Sequence, residues 1–364
     1  MSRTGTPPLK PGDTIGIIGG GQLGRMLAMA AARFSLKTIV LEHGKNCPAA
    51  QLANYHIQAE YDDVAALKEL VASCKLITYE FENIPLETVN FLEENNTLYP
   101  NSLALQKSQD RLVEKTFLNS IDIQTAPYQN IETIGDLEEA YHRYDQSGIL
   151  KTRRFGYDGK GQVRLEKGMN KSALQAALDE TTNAPCVLEG LINFQCEIST
   201  IVARSTSGEI AVFDPAENVH KDGILRTSSV PANVSGKIIK NAKSIAARIV
   251  EALDYVGVMG VEFFVLENDD LIVNEIAPRV HNSGHWTEAA CAVSQFEQHI
   301  RAIAGWPLGS TKRHSDCTME NLIGSDIERI PEIMSHSNTL LHLYGKEDSR
   351  EGRKMGHFTT IKPL

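Results

Sequence analysis

Two glutamates thirteen positions apart, Glu262 and Glu275, are the side chains whose spacing points most directly to chemistry. Each lies in a short β-like run, residues 261–265 and 271–275, and the polar tetrapeptide 267–270 separates the two runs. Two such runs joined by a short polar segment are typical of a hairpin. We therefore expect the two carboxylates on neighbouring antiparallel strands.

The register of this hairpin decides whether the carboxylates meet. If Leu266 faces Leu271 across a four-residue loop, Glu262 lies opposite Glu275 with Cβ atoms about 5 Å apart. Like charges opposed on one sheet face repel each other, so this register predicts a cation between them. Mg²⁺ suits the pair, because it typically binds one or two carboxylates and keeps positions for water and nucleotide phosphates. The alternative is two solvated strand carboxylates.

Gly19, Gly21 and Gly24 form a G-x-G-x-x-G pattern between a β-like and a helix-like run, and Glu42 ends the next β-like run. The pattern has the form of a dinucleotide fingerprint. Its physics requires only a tight turn and backbone N–H groups at a helix N-terminus, which would hold any phosphate. A dinucleotide, another phosphate ligand and tight packing without a ligand all stay open.

A second glycine-rich segment, residues 155–162, lies between two β-like runs. Its glycines predict a hairpin tip whose amides can close over phosphate oxygens while Lys160 supplies positive charge. It is not a Walker A motif, because neither Ser nor Thr follows Lys160. A plain flexible hairpin is the alternative. Lys151 follows the apolar run 148–150, and a buried ammonium is costly unless an anion receives it.

Further candidate binding residues are scattered over the second half of the chain. Residues 189–192 end a β-like run, as a hinge would, and can offer backbone groups to an adenine edge, and Glu197 could accept from ribose hydroxyls. Arg279 would sit where a transferring phosphoryl group or a carbonyl oxygen needs positive charge. Arg353 and Lys354, flanked by glycines, suggest a second anion site. Ordinary structural roles and a solvated basic turn are the alternatives.

Composition excludes several classes of function. The chain has 364 residues, enough for two or three domains, and a net charge of −10 with no Lys/Arg-rich block, which argues against a nucleic-acid partner. Its six cysteines lack zinc-ligand spacing, which fits a reduced cytosol. The N-terminus lacks the apolar segment of a signal peptide, and no apolar run could span a bilayer. We expect a cytoplasmic protein that binds small molecules.

Alternating β-like and helix-like runs over the first hundred residues predict a doubly wound parallel sheet. We expect an N-terminal Rossmann-like domain at 1–105, a small α+β lid domain at 106–190 and a larger antiparallel α+β domain at 191–364. One strand is predicted near 57–59. A charged amphipathic helix is predicted at 108–118.

Read in order, these residues resemble the ATP-grasp superfamily, in which two α+β domains clamp ATP and Mg²⁺. Within it they resemble the 5-(carboxyamino)imidazole ribonucleotide synthetase family, the ATP-dependent carboxylases of purine biosynthesis. The likeness covers nearly the whole chain. It rests on the segments 19–25, 78–83, 109–111, 156–162, 217–220, 274–286 and 353–357.

The resemblance implies an ATP-grasp fold and the carboxylation of 5-aminoimidazole ribonucleotide with ATP and bicarbonate, through carboxyphosphate. It implies Mg²⁺ held by Glu262 and Glu275, with Mn²⁺ as a possible substitute, and a homodimer formed through the N-terminal domain. The implied contacts to ATP are Arg111, Lys151, Gly156, Tyr157, Asp158, Gly159, Lys160, Gly161, Gln162, Glu189, Gly190, Leu191, Ile192, Glu197, His220, Asn274 and Glu275. The implied contacts to the ribonucleotide are Gln22, Leu23, Tyr157, Asp158, Asn282, Arg353 and Lys354. The catalytic candidates are Asp158 for the substrate amine, Lys160 for phosphoryl charge and Arg279 for the carboxylate.

One position departs from the wider superfamily pattern. Some ATP-grasp enzymes carry an Asn metal ligand two positions after the second glutamate, where this chain has Ala277. Two carboxylates must then suffice. The rival functions are another ATP-grasp ligase, such as the formate-dependent glycinamide ribonucleotide transformylase, an NAD-dependent oxidoreductase, and a nucleotide-binding regulatory module.

Overall fold

The N-terminal part of the chain forms a parallel sheet flanked by helices. The computed structural model describes residues 7–156 and 160–363. The first elements are β1 (Thr14–Ile18), α1 (Gln22–Arg33), β2 (Lys37–Leu41), β3 (Tyr55–Ile57), α2 (Val64–Ser73), β4 (Leu76–Tyr79) and α3 (Leu86–Asn95). The strand order is β3-β2-β1-β4 with parallel neighbours, which confirms the predicted doubly wound sheet. The strand expected near 57–59 begins two residues earlier, at Tyr55.

Two helices, α4 (Ser102–Ser108) and α5 (Arg111–Ser120), replace the single helix expected at 108–118. The prediction was wrong at its start, because Asp110 caps a new helix. Its carboxylate accepts the backbone N–H of Leu112 at 2.9 Å and that of Val113 at 3.4 Å. An N-cap aspartate of this kind satisfies amides that the first turn leaves unpaired. Helix α5 therefore begins at Arg111 and carries its basic residues toward the candidate site.

A small antiparallel sheet with its own apolar core follows. Its elements are β5 (Tyr128–Ile131), α6 (Ile134–Arg143), β6 (Gly148–Thr152), β7 (Gln162–Leu165), α7 (Lys171–Glu180) and β8 (Cys186–Glu189), in the strand order β5-β8-β6-β7. Buried residues between 131 and 188 form a separate hydrophobic cluster. Strands β6 and β7 form the predicted hairpin around the second glycine-rich segment.

The third part is a large antiparallel sheet, in which the described residues contribute nine strands. Its elements are β9 (Cys196–Arg204), β10 (Ile210–Val212), β11 (Ala216–Lys221), β12 (Ile224–Val230), α8 (Gly236–Ala252), β13 (Gly257–Val265), β14 (Leu271–Ala277), α9 (Thr287–Ala290), α10 (Gln295–Ile303), β15 (Ser315–Ile323), α11 (Ile330–Met334), β16 (Thr339–Leu343) and β17 (Lys354–Pro363). The main strand path is β14-β13-β9-β11-β12-β15-β17-β16, and β10 pairs with β9.

The large sheet and the N-terminal part share one core. A single hydrophobic cluster includes Met26 and Leu27 of α1, Ile300 of α10 and Met319 of β15. A second cluster lies between α8 and the strands β9, β13 and β14. No helix within the described ranges has the length and apolar character needed to cross a membrane. All six cysteines, each in a described range, are free thiols.

Candidate functional site

The two glutamates of the β13–β14 hairpin are cross-strand partners, as predicted. The assumed loop was wrong by one residue, because the N–H of Leu266 donates to the carbonyl of Asp270 at 2.9 Å and Val265 pairs with Leu271. A β-bulge restores the pairing, since two residues, Asn274 and Glu275, lie opposite the single residue Glu262. Bulges of this kind commonly re-aim side chains at functional sites.

The electrostatics of the pair favour a cation. Burial and, next, the neighbouring carboxylate of Glu275 raise the pKa of Glu262 to about 7, although His220 and Lys354 act in the opposite direction. Burial and a like charge bring the pKa of this carboxyl close to 7. A divalent ion beside it would lower that pKa, so the carboxyl would ionise fully. The side-chain oxygen of Asn274 is buried, and no described residue offers it a hydrogen bond. Two carboxylates and an amide oxygen are hard oxygen donors of the kind that Mg²⁺ takes, so these residues fit the metal.

Arg111 contacts the carboxylate pair, and Lys115 and Lys151 both contact Glu189. Nη1 of Arg111 lies 3.2 Å from Oε2 of Glu275. Nζ of Lys151 donates to Oε2 of Glu189 at 2.9 Å, and Nζ of Lys115 lies 3.2 Å from Oε1 of the same carboxylate. Burial alone would raise the pKa of Glu189, but the two ammonium groups and Arg111 lower it to about 2. The sequence predicted an anion beside the buried ammonium of Lys151, and in this structure that anion is the carboxylate of Glu189.

Glu114 connects the basic helix α5 to the metal-candidate strand. Its Oε1 accepts a hydrogen bond of 2.6 Å from the backbone N–H of Ile276, which is the residue after Glu275. Burial raises the pKa of Glu114 to about 8, and the Glu275 carboxylate adds to the shift. The carboxyl of Glu114 therefore holds its proton more tightly than an exposed glutamate does.

Arg279 forms an ion pair rather than standing free. Its Nε contacts Oε2 of Glu82, and Nη2 donates to Oε1 of Glu82 at 3.1 Å. Burial alone would raise the pKa of Glu82, but the guanidinium lowers it below the ordinary value. Such a paired arginine is held in a fixed orientation at the end of β14. Its assignment to a reacting carboxylate stays a prediction.

A chain of buried hydrogen bonds leads to His281. Oγ of Ser228 donates to the Asn218 side-chain oxygen at 2.8 Å, and the Asn218 amide donates to Oγ of Ser199 at 2.8 Å. Oγ of Ser199 in turn donates to Oγ of Ser283 at 2.6 Å, and Oγ of Ser283 lies 2.8 Å from Nδ1 of His281. Each hydroxyl has one proton, so the chain runs in one direction toward the imidazole.

The same geometry fixes the tautomer of His281. The backbone N–H of Ser283 also points at Nδ1, at 3.4 Å. Because Nδ1 accepts, the ring proton of the neutral imidazole lies on Nε2, which is 3.5 Å from Oε1 of Glu262. Burial lowers the pKa of His281 to about 3, and Arg279 and Lys354 contribute. His281 is therefore a neutral donor that faces the carboxylate pair.

Carboxylates of the protein itself engage the first glycine-rich turn. The N–H groups of Gly21 and Gly24 donate to the carboxylate of Glu80 at 2.6 and 3.0 Å, and the N–H of Gly20 donates to Glu42 at 2.8 Å. A Cβ on Gly21 would meet Oε1 of Glu80 at 2.5 Å. Of the three interpretations of G-x-G-x-x-G, the structure favours tight packing, because the amides that would hold a phosphate are already used.

The second glycine-rich segment is only partly described. Tyr157, Asp158 and Gly159 lie outside the described residues. Gly161 has a φ of +71°, and its carbonyl accepts the N–H of Thr152 at 2.8 Å, which closes the base of the β6–β7 hairpin.

One flank of that hairpin lies near Arg111. Gly156 lies close to Arg111, because a Cβ built on Gly156 would come 3.6 Å from Nη2 of that arginine. Lys160 and Gln162 are exposed. The predicted hairpin is confirmed, and its contacts with a nucleotide stay a prediction.

The predicted hinge connects the small sheet to the large one. The N–H of Gly190 donates to the carbonyl of Pro127 at 2.8 Å. Leu191 and Ile192 are half-buried. The ring of Phe194 stacks on Phe264 of β13 at 4.6 Å.

The two polar candidates beyond the hinge form an ion pair. Nδ1 of His220 lies 3.0 Å from Oε2 of Glu197. Burial alone would lower the pKa of His220, but that carboxylate raises it above the ordinary value.

The two C-terminal basic residues have different neighbours. Lys354 begins β17 and is close enough to Glu262 and His281 to lower the pKa of both. Arg353 donates to the backbone carbonyl of Asp348 at 3.1 Å. Both side-chain amide atoms of Asn282 are buried without a hydrogen-bond partner among the described residues. Gln22 is half-buried and Leu23 is buried at the start of α1. Their contacts with a ribonucleotide stay predictions.

Sequence reasoning missed Lys115, Glu114 and Glu82 as site residues. Lys115 follows Arg111 by four positions, so both lie on one face of α5. That spacing was the available indication. Glu82 lies within the segment 78–83, but its partner is nearly two hundred residues away in the chain, and only the fold shows the ion pair.

The fold and the site define an ATP-grasp protein. The family models that match are described as the ATP-grasp domain (residues 116–296), the ribonucleotide synthetase preATP-grasp domain (13–109) and the phosphoribosylaminoimidazole carboxylase C-terminal domain (317–363).

Relatives narrow the class further. An N5-carboxyaminoimidazole ribonucleotide synthase of Brucella melitensis is 58% identical over 98% of each chain. The solved N5-carboxyaminoimidazole synthetase of Staphylococcus aureus, complexed with ADP, is 39% identical with a TM-score of 0.93 over 98% of this chain and 95% of that one. A synthase of Aspergillus clavatus in complex with ADP and 5-aminoimidazole ribonucleotide is 30% identical with a TM-score of 0.91 over 97% and 95%. The chain belongs to the N5-carboxyaminoimidazole ribonucleotide synthase family.

Proposed function

We propose that this protein carboxylates the amine of 5-aminoimidazole ribonucleotide with ATP and bicarbonate, and so produces 5-(carboxyamino)imidazole ribonucleotide, ADP and phosphate in purine biosynthesis. The observation that carries the proposal is the Glu262–Glu275 pair with the Arg111 guanidinium against Glu275, in a chain 58% identical to a named synthase over nearly its full length. A carboxylate pair next to convergent cations is suited to a metal-bound polyphosphate.

In this proposal Arg111, Lys115 and Lys151 bind the phosphates of ATP, and the glycine-rich segment 156–162 covers them. When bound, Mg²⁺ is held by Glu262 and Glu275 and neutralises charge on the phosphate oxygens. Lys151 and Lys115 now share the carboxylate of Glu189. Because both ammonium groups are buried, their contribution to an incoming phosphate is less screened by water than that of a surface lysine.

The first chemical step is attack of a bicarbonate oxygen on the γ-phosphorus of ATP. The P–O bond to ADP breaks as carboxyphosphate forms. The neutral imidazole of His281 can donate its Nε2–H to an oxygen of the bicarbonate, and Arg279, oriented by Glu82, supplies a fixed positive charge. Both residues lie in the segment that follows β14.

In the second step the exocyclic amine of the ribonucleotide attacks the carboxyl carbon, and phosphate leaves. The amine loses one proton, for which Asp158 is the candidate acceptor. Lys354 and Asn282 are the candidates for holding the ribonucleotide. Carboxyphosphate hydrolyses readily, so the small sheet has a chemical purpose as a lid that excludes water.

The deciding experiment is a coupled assay of ADP release. Release that requires both bicarbonate and 5-aminoimidazole ribonucleotide supports the proposal. Release that instead requires formate and glycinamide ribonucleotide would replace it with the transformylase reaction. Release with neither acceptor would leave only an ATPase. We also propose a homodimer, which light scattering of the purified chain tests independently of activity.

A further inference from the structure

Glu288, His342 and His357 bring three metal-ligand side chains together on elements other than those of the carboxylate pair. Oε2 of Glu288 lies 3.2 Å from Nδ1 of His342 and 3.5 Å from Nε2 of His357, and the three atoms all lie within 4.8 Å of one another. The two histidines are cross-strand partners on β16 and β17, and Glu288 reaches them from α9. Nothing in the proposed carboxylation uses this cluster.

The distances fit a shared ion better than direct hydrogen bonds. A charge-assisted hydrogen bond between a nitrogen and a carboxylate is typically about 2.7–2.9 Å long. Zinc bonds to nitrogen and oxygen of about 2.0–2.2 Å place neighbouring ligands of a tetrahedron about 3.3–3.5 Å apart. The two separations at Glu288 bracket that range. In addition, Oε2 of Glu288 is buried and has no hydrogen bond of good geometry from any described residue.

The surroundings orient one imidazole as metal ligands require. The hydroxyl of the buried Tyr344 lies 2.9 Å from Nδ1 of His357, and so leaves Nε2 directed at Glu288. A hydrogen bond at the second ring nitrogen is the usual support of a zinc-bound histidine. The ring of His285 stacks on that of His357 at 4.5 Å. Glu288 and His342 are half-buried, and His357 is buried.

We propose that Glu288, His342 and His357 form a structural zinc site that ties α9 to the β16–β17 hairpin. Two imidazoles and one carboxylate favour Zn²⁺ over Mg²⁺, because imidazole suits transition metals and Mg²⁺ prefers oxygen ligands. The site lies on the strand that begins at Lys354. Bound zinc would hold that strand in place, and this role does not depend on the proposed reaction.

Metal retention tests the proposal directly. The full chain is incubated with Zn²⁺ in excess Mg²⁺ and dialysed, and zinc per chain is measured by plasma mass spectrometry. His342→Gln is the test variant because the residue is half-buried, and His336→Gln is the matched control because His336 is exposed on the same C-terminal segment. We expect the wild-type chain and His336→Gln to keep about one zinc more per chain than His342→Gln. All three chains retain the Glu262–Glu275 pair, so any zinc bound there contributes equally and does not affect the difference between them.

Two further measurements separate a built site from a folding defect. Thermal unfolding without metal should be similar for all three chains, and added zinc should raise the midpoint only for wild type and His336→Gln. Co²⁺ should give the visible absorption of a tetrahedral ion in the same two chains. If His342→Gln fails to fold, Glu288→Gln, which keeps the side-chain size, replaces it. Equal zinc retention in wild type and the folded variant would overturn the proposal.

Discussion

At the residue scale, the carboxylates of Glu262 and Glu275 repel each other, and a cation between them would offset that repulsion. We predict that Glu275→Gln lowers turnover by about a hundredfold or more, because it removes a metal ligand at a site of developing charge. Stability should change little or rise slightly, since the substitution also removes the like charge that raises the pKa of Glu262. Steady-state kinetics and thermal unfolding measure the two effects.

Glu267→Gln is the matched control for that substitution. Glu267 lies in the turn of the same hairpin and is exposed, so its neutralisation should leave turnover unchanged. A Glu275→Gln enzyme that keeps wild-type turnover would remove the metal assignment. A large loss in Glu267→Gln as well would mean that the hairpin's overall charge, rather than the pair, matters.

Lys354 gives a second prediction, which concerns substrate rather than metal. Lys354→Ala should raise the KM for the ribonucleotide about tenfold or more while changing the KM for ATP little, because it removes one cation from the candidate substrate phosphate site. Lys362→Ala is the control, since Lys362 is exposed on the same strand. Equal increases in both KM values would contradict a separate substrate-phosphate site.

At the scale of elements, strands β6 and β8 place Lys151 against Glu189 in the interior. We predict that Glu189→Gln destabilises the protein by about 2–5 kcal/mol at pH 7, because two buried ammonium groups lose their counter-charge. Urea unfolding measures the difference. The exposed Glu139→Gln, in the helix α6 of the same small unit, should stay within about 0.5 kcal/mol of wild type.

The same pair predicts a pH dependence with a definite sign. The pKa of Glu189 is lowered from its ordinary 4.5 to about 2, so its ionised form stabilises the folded state above pH 4.5. That stabilisation is lost as the pH falls from about 4.5 to about 2. The difference in the free energy of unfolding between wild type and Glu189→Gln should therefore become smaller as the pH falls through this range. If this difference in unfolding free energy stays constant as the pH falls, packing rather than charge makes Glu189 stabilising.

The elements also show how far sequence reasoning reached. Local patterns predicted the parallel sheet, the β6–β7 hairpin and the pairing of Glu262 with Glu275. The loop of the β13–β14 hairpin was assigned one residue too long, and the bulge at Asn274 compensated for that error. A bulge depends on contacts with neighbouring elements and leaves no clear pattern in one strand. The pairing was thus correct although the assumed loop was not.

Long-range pairings were the part that sequence could not supply. The G-x-G-x-x-G turn left a dinucleotide, another phosphate ligand and tight packing all open, because nothing local shows that Glu80 and Glu42 reach its amides from the ends of other strands. Arg279 was predicted as a site cation, but its partner Glu82 follows a strand of the N-terminal sheet. Each of these contacts crosses between elements that are distant in the chain, and only the folded arrangement determines them.

At the scale of the whole molecule, the candidate site lies between two units with separate cores. Lys151 belongs to the small sheet, Arg111 belongs to the helix that precedes it, and the Glu262–Glu275 pair belongs to the large sheet. The small sheet has its own hydrophobic cluster and joins the large sheet through residues 190–195. A nucleotide that contacts Lys151 of the small sheet and a metal ion at the Glu262–Glu275 pair of the large sheet would therefore hold the two units together.

This arrangement predicts slower amide hydrogen exchange in β6 and β7 when a non-hydrolysable ATP analogue and Mg²⁺ are added. In the proposed lid, binding would restrict opening of the small sheet, and motions of that kind set exchange rates. Mass spectrometry of peptides from residues 148–165 measures the effect, and peptides from β1 and α1 serve as the internal control. Glu262→Gln should weaken the protection, because it removes one side of the bridge. Unchanged exchange at 148–165, or equal slowing in β1 and α1, would contradict a lid that closes over the nucleotide.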